Sequence, residues 1–343
     1  MLFSYLYGII LNSIILPLDL QNHQGLPVKR ILITGATGQI GSELTPALRK
    51  RYGDGNVIAA GHKRAPDETF RSTGPYIALD VRDSAALEET VQQYNIDTIY
   101  HLAALLSAVA EEQPQLAWDV NINGLLAVLE IARLHNCSVF HPSSIGSFGP
   151  TTPRHKTPQE TLQRPNTMYG VAKVTGELLC DYYFTRYGVD TRGVRYPGLI
   201  SYETVPGGDT TDYAVDIFYG ALREKRYCCF LAPTTRLDMM YMPDAIRAAI
   251  EIMEAAPANL LHRNAYNITA MSCTPEEIYT SIKTHIPAFS IHYEVDPLRQ
   301  AIADSWPESM DDSAARSQWQ WRPEYDLESM TADMLARLAE KLG

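Results

Sequence analysis

The sequence has little positive charge. Its 343 residues include 29 lysines and arginines against 40 aspartates and glutamates, which gives a formal net charge of −11. The basic residues are scattered along the chain, whereas a protein that binds a nucleic-acid backbone needs them clustered. We therefore expect no nucleic-acid partner.

Cysteine is also scarce, with five residues and no Cys-x-x-Cys pair. An odd number of cysteines at irregular spacings does not suggest a disulfide framework, so the pattern predicts reduced, buried thiols in an intracellular protein. The nine histidines are dispersed. The spacing of histidine and cysteine therefore predicts no metal site.

The first 27 residues differ in character from the rest. The stretch from Leu2 to Leu18 is largely apolar, interrupted by Asn12 and Ser13, and lies near the lower length limit of a membrane span. It lacks the basic residues of a secretory signal or a transit peptide, since the first cation is Lys29. We interpret residues 1–27 as an extension that is either targeting or disordered, and expect no stable membrane partner.

A glycine-rich turn follows the short apolar run from Arg30 to Thr34. The turn reads Gly35-Ala36-Thr37-Gly38-Gln39-Ile40-Gly41 and leads into a helix through about Lys50. In a strand–turn–helix unit the first glycine permits the tight turn, the second admits a pyrophosphate and the third allows close packing. The helix N-terminus then offers free N–H groups to phosphate. The segment predicts a dinucleotide site.

Strands and helices alternate downstream. We predict further strands at 57–61, 76–79, 97–102, 138–141 and 191–196, and helices that include 84–94 and 118–135. This alternation indicates an α/β fold with a Rossmann-type doubly wound parallel sheet. Such sheets bind ligands at the carboxyl ends of their strands. The residues at those ends are Gly35, Asp80, Ala103 and the pair Ser143-Ser144.

Tyr169 and Lys173 lie four residues apart at the start of a helical segment. Residues at this spacing share one helix face, so an ammonium can lie close to a phenol. The positive charge lowers the phenol's pKa from about 10, and such a tyrosine can exchange a proton with an alcohol or ketone. Because Tyr-x-x-x-Lys also occurs by chance on solvated helices, the rest of the chain decides its meaning.

Together these segments resemble the extended short-chain dehydrogenases/reductases, the NAD-dependent epimerase/dehydratase-like superfamily, over about residues 28–340. The resemblance rests on the glycine turn, Asp80-Val81, His101-Leu102-Ala103-Ala104, Asn121-Ile122-Asn123-Gly124, Ser143-Ser144, Tyr169, Lys173 and Arg195-Tyr196-Pro197-Gly198. It implies that NAD is bound by Gly35, Thr37, Gly38, Gln39, Ile40, Gly41, Asp80, Val81, Leu102, Ala103, Ala104, Asn121, Tyr169, Lys173, Tyr196 and Pro197.

Two later segments resemble the L-threonine 3-dehydrogenases of this superfamily, namely 196–214 and 302–321. This narrower resemblance implies oxidation of the β-hydroxyl of L-threonine by NAD⁺ to L-2-amino-3-oxobutanoate. Tyr169 would be the general base, with Lys173 lowering its pKa and Ser144 hydrogen-bonded to the reacting oxygen. The implied substrate residues are Ser107, Ser144, Tyr169, Thr210, Thr211 and Trp306.

Each substrate assignment has a structural alternative. A tryptophan in a C-terminal segment, such as Trp306, is more often part of the core than a lid. Thr210 and Thr211 can instead cap the helix predicted to start at 211. Two whole-protein alternatives also stay open, a nucleotide-sugar epimerase or reductase and a non-catalytic dinucleotide-sensing protein.

The chain departs from the family pattern at two places. An NAD-preferring site usually has an acidic residue at the end of the second strand, where this chain has Gly61 followed by His62, Lys63 and Arg64. A basic cluster there can attract the 2′-phosphate of NADP, although the resemblance favours NAD. Asp209 stands where the related loop more often continues a glycine run, close to the expected substrate carboxylate or ammonium.

We predict a Rossmann domain over 28–196, rejoined by about 231–264, and a smaller C-terminal substrate-binding domain over 197–230 and 265–343. Related enzymes imply a homodimer through a four-helix bundle, formed here by 115–135 and the helix of Lys173. Its apolar face carries Leu178, Leu179, Tyr182 and Tyr183. Eukaryotic relatives imply a mitochondrial location, with a cytoplasmic enzyme as the alternative.

Overall fold

The computed structural model describes residues 30–205 and 210–343. The predicted extension at 1–27 and Asp209 lie outside the described residues. The strands are β1 Ile31–Thr34, β2 Val57–Gly61, β3 Tyr76–Ala78, β4 Thr98–His101, β5 Ser138–Phe140, β6 Ser143–Ser144, β7 Thr191–Arg192, β8 Val194–Tyr196, β9 Gly198–Ile200, β10 Arg226–Cys229, β11 Leu237–Tyr241, β12 Tyr266–Asn267, β13 Met271–Cys273 and β14 Ser290–Tyr293.

The α-helices of the described ranges follow the same chain order. They are α1 Gln39–Tyr52, α2 Glu68–Ser72, α3 Ser84–Tyr94, α4 Ser107–Glu112, α5 Pro114–Trp118, α6 Gly124–His135, α7 Met168–Tyr187, α8 Tyr213–Arg223, α9 Met242–Glu254, α10 Pro275–His285, α11 Pro297–Asp304, α12 Ser313–Gln318 and α13 Leu327–Leu342. No helix in these ranges is long and apolar enough to cross a membrane.

The central sheet has six strands in the order β3-β2-β1-β4-β5-β7. Every neighbouring pair is parallel, and Ile33 of β1 lies opposite Ala59 of β2 and Tyr100 of β4. The order runs outward from β1 to β3 and then resumes on the other side with β4. That reversal opens a crevice at the carboxyl ends of β1 and β4. The predicted doubly wound α/β fold is confirmed.

The strand predicted over 191–196 is interrupted at Gly193. The Gly193 N–H donates to the carbonyl of Arg263, and its own carbonyl accepts from Ala265 and Tyr266. A Cβ at this position would lie 2.4 Å from the carbonyl oxygen of His141. As a result β7 completes the central sheet, whereas β8 pairs with β6 and β12 in a second sheet. The strands β9, β11 and β13 form a third.

The helix predicted near 118–135 is built from three consecutive pieces. The helix α5 ends at Trp118, a π-helical turn spans Asp119–Asn123, and α6 continues from Gly124. By contrast, α3 matches its prediction at both ends. The side chain of Asp83 caps its N-terminus and Asn95, with a φ of 50°, ends it. Local signals therefore define α3, whereas Asn121 in the π turn bonds to Leu105, a residue distant in sequence.

Alternate residues of β1 point to opposite sides of the sheet, as a strand requires. Ile31 and Ile33 pack in a cluster with α1 and α9. Leu32 packs in a second cluster with α3 and α6. A third cluster lies mainly in the C-terminal half and includes Tyr213 and Met334. The domain boundaries given above stay predictions.

Candidate active site

The glycine turn between β1 and α1 has the geometry that a phosphate site needs. Gly35 has a φ of +69°, and a Cβ there would lie 2.7 Å from the nitrogen of Ala103. A Cβ on Gly41 would lie 2.4 Å from the carbonyl oxygen of Gly35. Gly38 is the N-cap of α1 and no side chain caps the helix, whose first turn has no acidic residue. Its terminal N–H groups can therefore bind an anion.

The loop after β4 lies directly against this turn. The Leu102 N–H donates to the carbonyl of Thr34, and Ala103 follows beside Gly35. The side chain of Asn121 holds the loop by accepting from the Leu105 N–H at 2.7 Å and donating to its carbonyl at 3.0 Å. Asn121 lies in the π-helical turn, a feature that is frequent at functional sites. It therefore positions the predicted cofactor residues 102–104.

Asp80 and Val81 follow β3, next to the end of β2. The carboxylate of Asp80 accepts hydrogen bonds from the Arg82 guanidinium, one of them at 2.6 Å, and lies 3.7 Å from His62. Mainly through the Arg82 contacts, the pKa of Asp80 falls to about 2. Val81 is buried, and its side chain would lie 2.9 Å from a Cβ on Gly124. Asp80 is thus an anion close to His62, which directly follows β2.

Three predicted catalytic residues come together around Gly146. A Cβ on Gly146 would lie 3.2 Å from two ring carbons of Tyr169 and 3.5 Å from the Ser144 Oγ, so both side chains flank the same narrow space. Ser144 accepts a hydrogen bond from the Gly146 N–H at 3.1 Å. The Lys173 Nζ lies 5.4 Å from the centre of the Tyr169 ring. This arrangement brings a hydroxyl, a phenol and an amine to one place.

Lys173 is buried within this group. Its Nζ donates to the carbonyl oxygen of Pro142 at 2.7 Å. Burial lowers the pKa of Lys173 to about 8, and the nearby charge of Glu177 opposes that shift. At neutral pH most molecules therefore carry an ammonium beside the Tyr169 ring. A cation in this position favours the phenolate form of tyrosine.

A buried ion pair joins α7 to β8 and was missed from the sequence. Glu177 accepts two hydrogen bonds from the Arg195 guanidinium, at 2.8 and 3.0 Å. It also accepts from the Ser143 hydroxyl and from the Gln163 amide. Glu177 follows Lys173 by four residues, as Lys173 follows Tyr169. That spacing is the signal that marks all three as one helix face.

Two buried histidines lie close to Lys173. The rings of His101 and His141 stack with their centres 5.7 Å apart. The His101 Nδ1 is within 2.9 Å of the Thr34 hydroxyl. Burial, with a contribution from the charge of Lys173, lowers the pKa of His101 to about 3. His101 is therefore a neutral packing residue at the end of β4.

The other predicted substrate residues lie in different environments. Ser107, the first residue of α4, and Thr210 are buried, and the methyl carbon of Thr211 lies against Gly198 of β9. Trp306 is buried in the C-terminal core cluster, and its carbonyl accepts from the Arg154 guanidinium at 3.1 Å. Its environment therefore favours the core alternative over a lid.

Tyr196 and Pro197 follow β8. The Tyr196 hydroxyl donates to the carbonyl of Ala245 at 2.7 Å, and burial raises its pKa. The ring of Tyr196 therefore packs in the core, with its hydroxyl bonded to α9. In 30–205 and 210–343, no group of three or more histidine, cysteine or acidic side chains is placed to hold a metal ion.

The chain matches the NAD dependent epimerase/dehydratase family over residues 31–269. It is 52% identical over 314 residues to an uncharacterized epimerase/dehydratase of Staphylococcus saprophyticus, covering 92% of this chain and 98% of the relative. The structure is similar to an L-threonine dehydrogenase from Clostridium difficile, with a TM-score of 0.90, 58% identity and coverage of 92% and 98%. It is also similar to a monomeric L-threonine 3-dehydrogenase from a metagenome, with a TM-score of 0.87 and 44% identity. That match covers 91% of this chain and 100% of the other.

Proposed function

Because this chain belongs to the NAD-dependent epimerase/dehydratase family, we propose that it oxidises the β-hydroxyl of L-threonine with NAD⁺ to L-2-amino-3-oxobutanoate and NADH. The observation that carries the proposal is the arrangement of Ser144 and Tyr169 around Gly146, with Lys173 beside the tyrosine ring. The choice of L-threonine is supported by the similarity to L-threonine dehydrogenases and by the segments at 196–214 and 302–321.

The cofactor is NAD(H), and the residues present fit it. The uncapped N-terminus of α1, the tight turn at Gly35 and the close approach that Gly38 allows suit a pyrophosphate. Asp80 lies at the adenosine end, and Asn121 holds the loop of residues 102–104 that lines the crevice. When bound, NAD⁺ supplies the acceptor for the hydride that leaves the alcohol carbon.

The chain's own residues handle the proton. Tyr169, as phenolate, takes the proton of the substrate hydroxyl. The hydride leaves the carbon that bears this hydroxyl, and a carbonyl forms there. The Ser144 oxygen already accepts from the Gly146 N–H, so its own O–H is left to donate to the reacting oxygen. Lys173, held by the Pro142 carbonyl, keeps a positive charge beside the phenolate. Ser144 thus stabilises negative charge on the reacting oxygen of the substrate, and Lys173 stabilises it on the phenolate oxygen of Tyr169.

The direct test is the absorbance of NADH when purified protein is mixed with NAD⁺ and one candidate alcohol. We expect NADH with L-threonine and no reaction with a UDP-sugar. Conversion of the UDP-sugar in place of L-threonine would identify an epimerase or reductase of the same superfamily, and it is followed by chromatography of the sugar nucleotide because an epimerase leaves no net NADH. NAD binding without reaction of any alcohol would instead identify a dinucleotide sensor.

We also propose a homodimer built on α6 and α7, as the family resemblance implies. Leu178 and Tyr182 of α7 are 63% and 52% exposed, whereas Tyr183 faces the core. Leu126 and Leu134 of α6 add to the exposed apolar face. Analytical ultracentrifugation of Leu178→Asp against the unchanged protein tests this, with a shift from dimer to monomer expected. An unchanged protein that sediments as a monomer would contradict it, and one of the similar structures is monomeric.

The mitochondrial location is likewise a proposal, supported only by the resemblance to eukaryotic members. The curated relative described above is staphylococcal. Fractionation of source cells with an antibody to the protein tests the location. Recovery in the cytosolic fraction would favour the alternative.

A further inference from the structure

The end of β2 is built differently from the usual NAD site. Gly61 stands where an acidic side chain commonly binds the adenosine ribose of NAD. A Cβ on Gly61 would lie 2.6 Å from the hydroxyl oxygen of Tyr76 and 3.2 Å from the Thr37 Oγ1. The Tyr76 phenol thus occupies the space that the acidic side chain would need. The position lacks a carboxylate, and a carboxylate side chain placed there would have to displace the Tyr76 hydroxyl.

The loop that follows β2 is basic and is hydrogen-bonded to the glycine turn. The side chains of His62, Lys63 and Arg64 are all exposed. The Thr37 hydroxyl donates to the carbonyl oxygen of Arg64 at 3.0 Å. Thr37 lies in the glycine turn directly before Gly38, the glycine expected to admit the pyrophosphate. This bond therefore places the three basic residues beside the adenosine half of the dinucleotide site.

The acidic groups nearby are already engaged. The Asp80 carboxylate is held by the Arg82 guanidinium and faces His62 at 3.7 Å. Further along the chain, Asp67 caps α2 by accepting from the Phe70 N–H at 2.7 Å. The side chains of Asp67, Glu68 and Arg71 are all exposed on this stretch of the surface. The three residues that directly follow Gly61 are thus basic, and the first carboxylate after them along the chain is Asp67.

We propose that this site accepts a 2′-phosphorylated adenine dinucleotide, of the NADP class, in addition to NAD. A carboxylate at the end of β2 accepts a hydrogen bond from the ribose 2′-hydroxyl and repels a 2′-phosphate, whereas a cation there attracts the phosphate. Here the carboxylate is replaced by Gly61, and Lys63 and Arg64 stand next in the chain. Binding at the dinucleotide site is independent of whether L-threonine is the substrate.

The test is the binding of NAD⁺, NADP⁺ and adenosine 2′,5′-bisphosphate by calorimetry, without any alcohol. At low ionic strength, where surface charges act most strongly, we expect the dissociation constant for NADP⁺ to lie within tenfold of that for NAD⁺. The variant Lys63→Gln/Arg64→Gln should raise the constants for NADP⁺ and the bisphosphate at least tenfold. The constant for NAD⁺ should change less than threefold.

Two further variants control this result. Lys50→Gln removes an exposed charge from the far end of α1, about 16 Å along the helix from Gln39, and should leave all three constants unchanged. Gly61→Asp combined with Tyr76→Phe, which removes the crowding hydroxyl, should weaken NADP⁺ binding at least tenfold relative to Tyr76→Phe alone. Thermal melting confirms that each variant is folded.

The proposal is overturned if the unchanged protein prefers NAD⁺ by more than tenfold. It is also overturned if Lys63→Gln/Arg64→Gln weakens the binding of both dinucleotides equally. Because no alcohol is present, failure of these measurements is distinct from failure to oxidise L-threonine.

Discussion

The Lys173 amine donates a hydrogen bond to the main-chain carbonyl of Pro142 across 2.7 Å. Pro142 immediately precedes β6, which carries Ser144, while Lys173 lies on α7 one turn after Tyr169. This single bond therefore ties the helix of the proposed base to the strand of the proposed hydrogen-bond donor. The bond therefore fixes the position of Tyr169 relative to Ser144.

Tyr169→Phe removes the phenol oxygen and keeps the ring that packs on Gly146. We expect kcat for L-threonine to fall about 10²–10⁴-fold, the range that general acid–base catalysis contributes, with little change in NAD⁺ affinity. Steady-state kinetics and calorimetry measure the two effects. Tyr182→Phe, on the exposed side of the same helix, is the matched control and should keep full activity. Retained turnover in Tyr169→Phe would mean that another group takes the proton.

Glu177→Gln leaves the Arg195 guanidinium buried without its anion. Breaking a buried pair in this way costs about 3–5 kcal/mol, so we expect a loss of that order in the free energy of unfolding, measured with urea. In Glu177→Gln/Arg195→Met the loss should be smaller than the sum of the two single changes. Additive losses would show that the two side chains do not stabilise each other.

Glu43 of α1 makes the free energy of unfolding depend on pH. Burial raises its pKa from 4.5 to about 7, although the Ser201 hydroxyl donates to it at 2.5 Å. The neighbouring Glu203 also raises the pKa, and Lys341 opposes the shift. Because the unfolded chain loses this proton at lower pH than the folded protein, the folded state is progressively destabilised as pH rises from about 4.5 to about 7.

Glu43→Gln should remove this loss, since an amide oxygen still accepts from Ser201. We expect the variant to be more stable at pH 8 by about 2–3 kcal/mol and equally stable at pH 4. Urea unfolding across this range checks the prediction. The exposed Glu68→Gln is the control and should give no such pattern. A stabilisation that is the same at both pH values would exclude the ionisation of Glu43 as its cause.

Gly35→Ala should damage the dinucleotide site. The residue's φ of +69° is unfavourable for alanine, and the new Cβ would lie 2.7 Å from the nitrogen of Ala103. We expect at least about a tenfold loss of NAD⁺ affinity, since a misplaced turn loses its phosphate contacts. Gly55→Ala, where a Cβ would meet nothing within 4 Å, is the matched control. Equal affinities for the two variants would contradict the proposed role of the turn.

Several features could be predicted from the sequence because their causes are local. The turn at Gly35 needs only its neighbours along the chain, and α3 begins and ends at residues, Asp83 and Asn95, whose own geometry defines it. The i, i+4 spacing likewise placed Tyr169 and Lys173 on one face before any fold was known. Alternation of such local units is enough to predict a doubly wound sheet, since few other arrangements bury them.

The remaining features depend on residues that are distant in sequence. The break at Gly193 comes from contacts with Arg263 and Ala265, and the pair Glu177–Arg195 joins a helix to a later strand. Trp306 belongs to the segment 302–321, which resembles a substrate loop of the L-threonine 3-dehydrogenases, yet its side chain is buried in the C-terminal core. The sequence alone therefore determined the dinucleotide fold and the pairing of Tyr169 with Lys173 on one helix face. Only the tertiary structure decided which polar groups are buried and paired, because burial is a property of the whole packed chain.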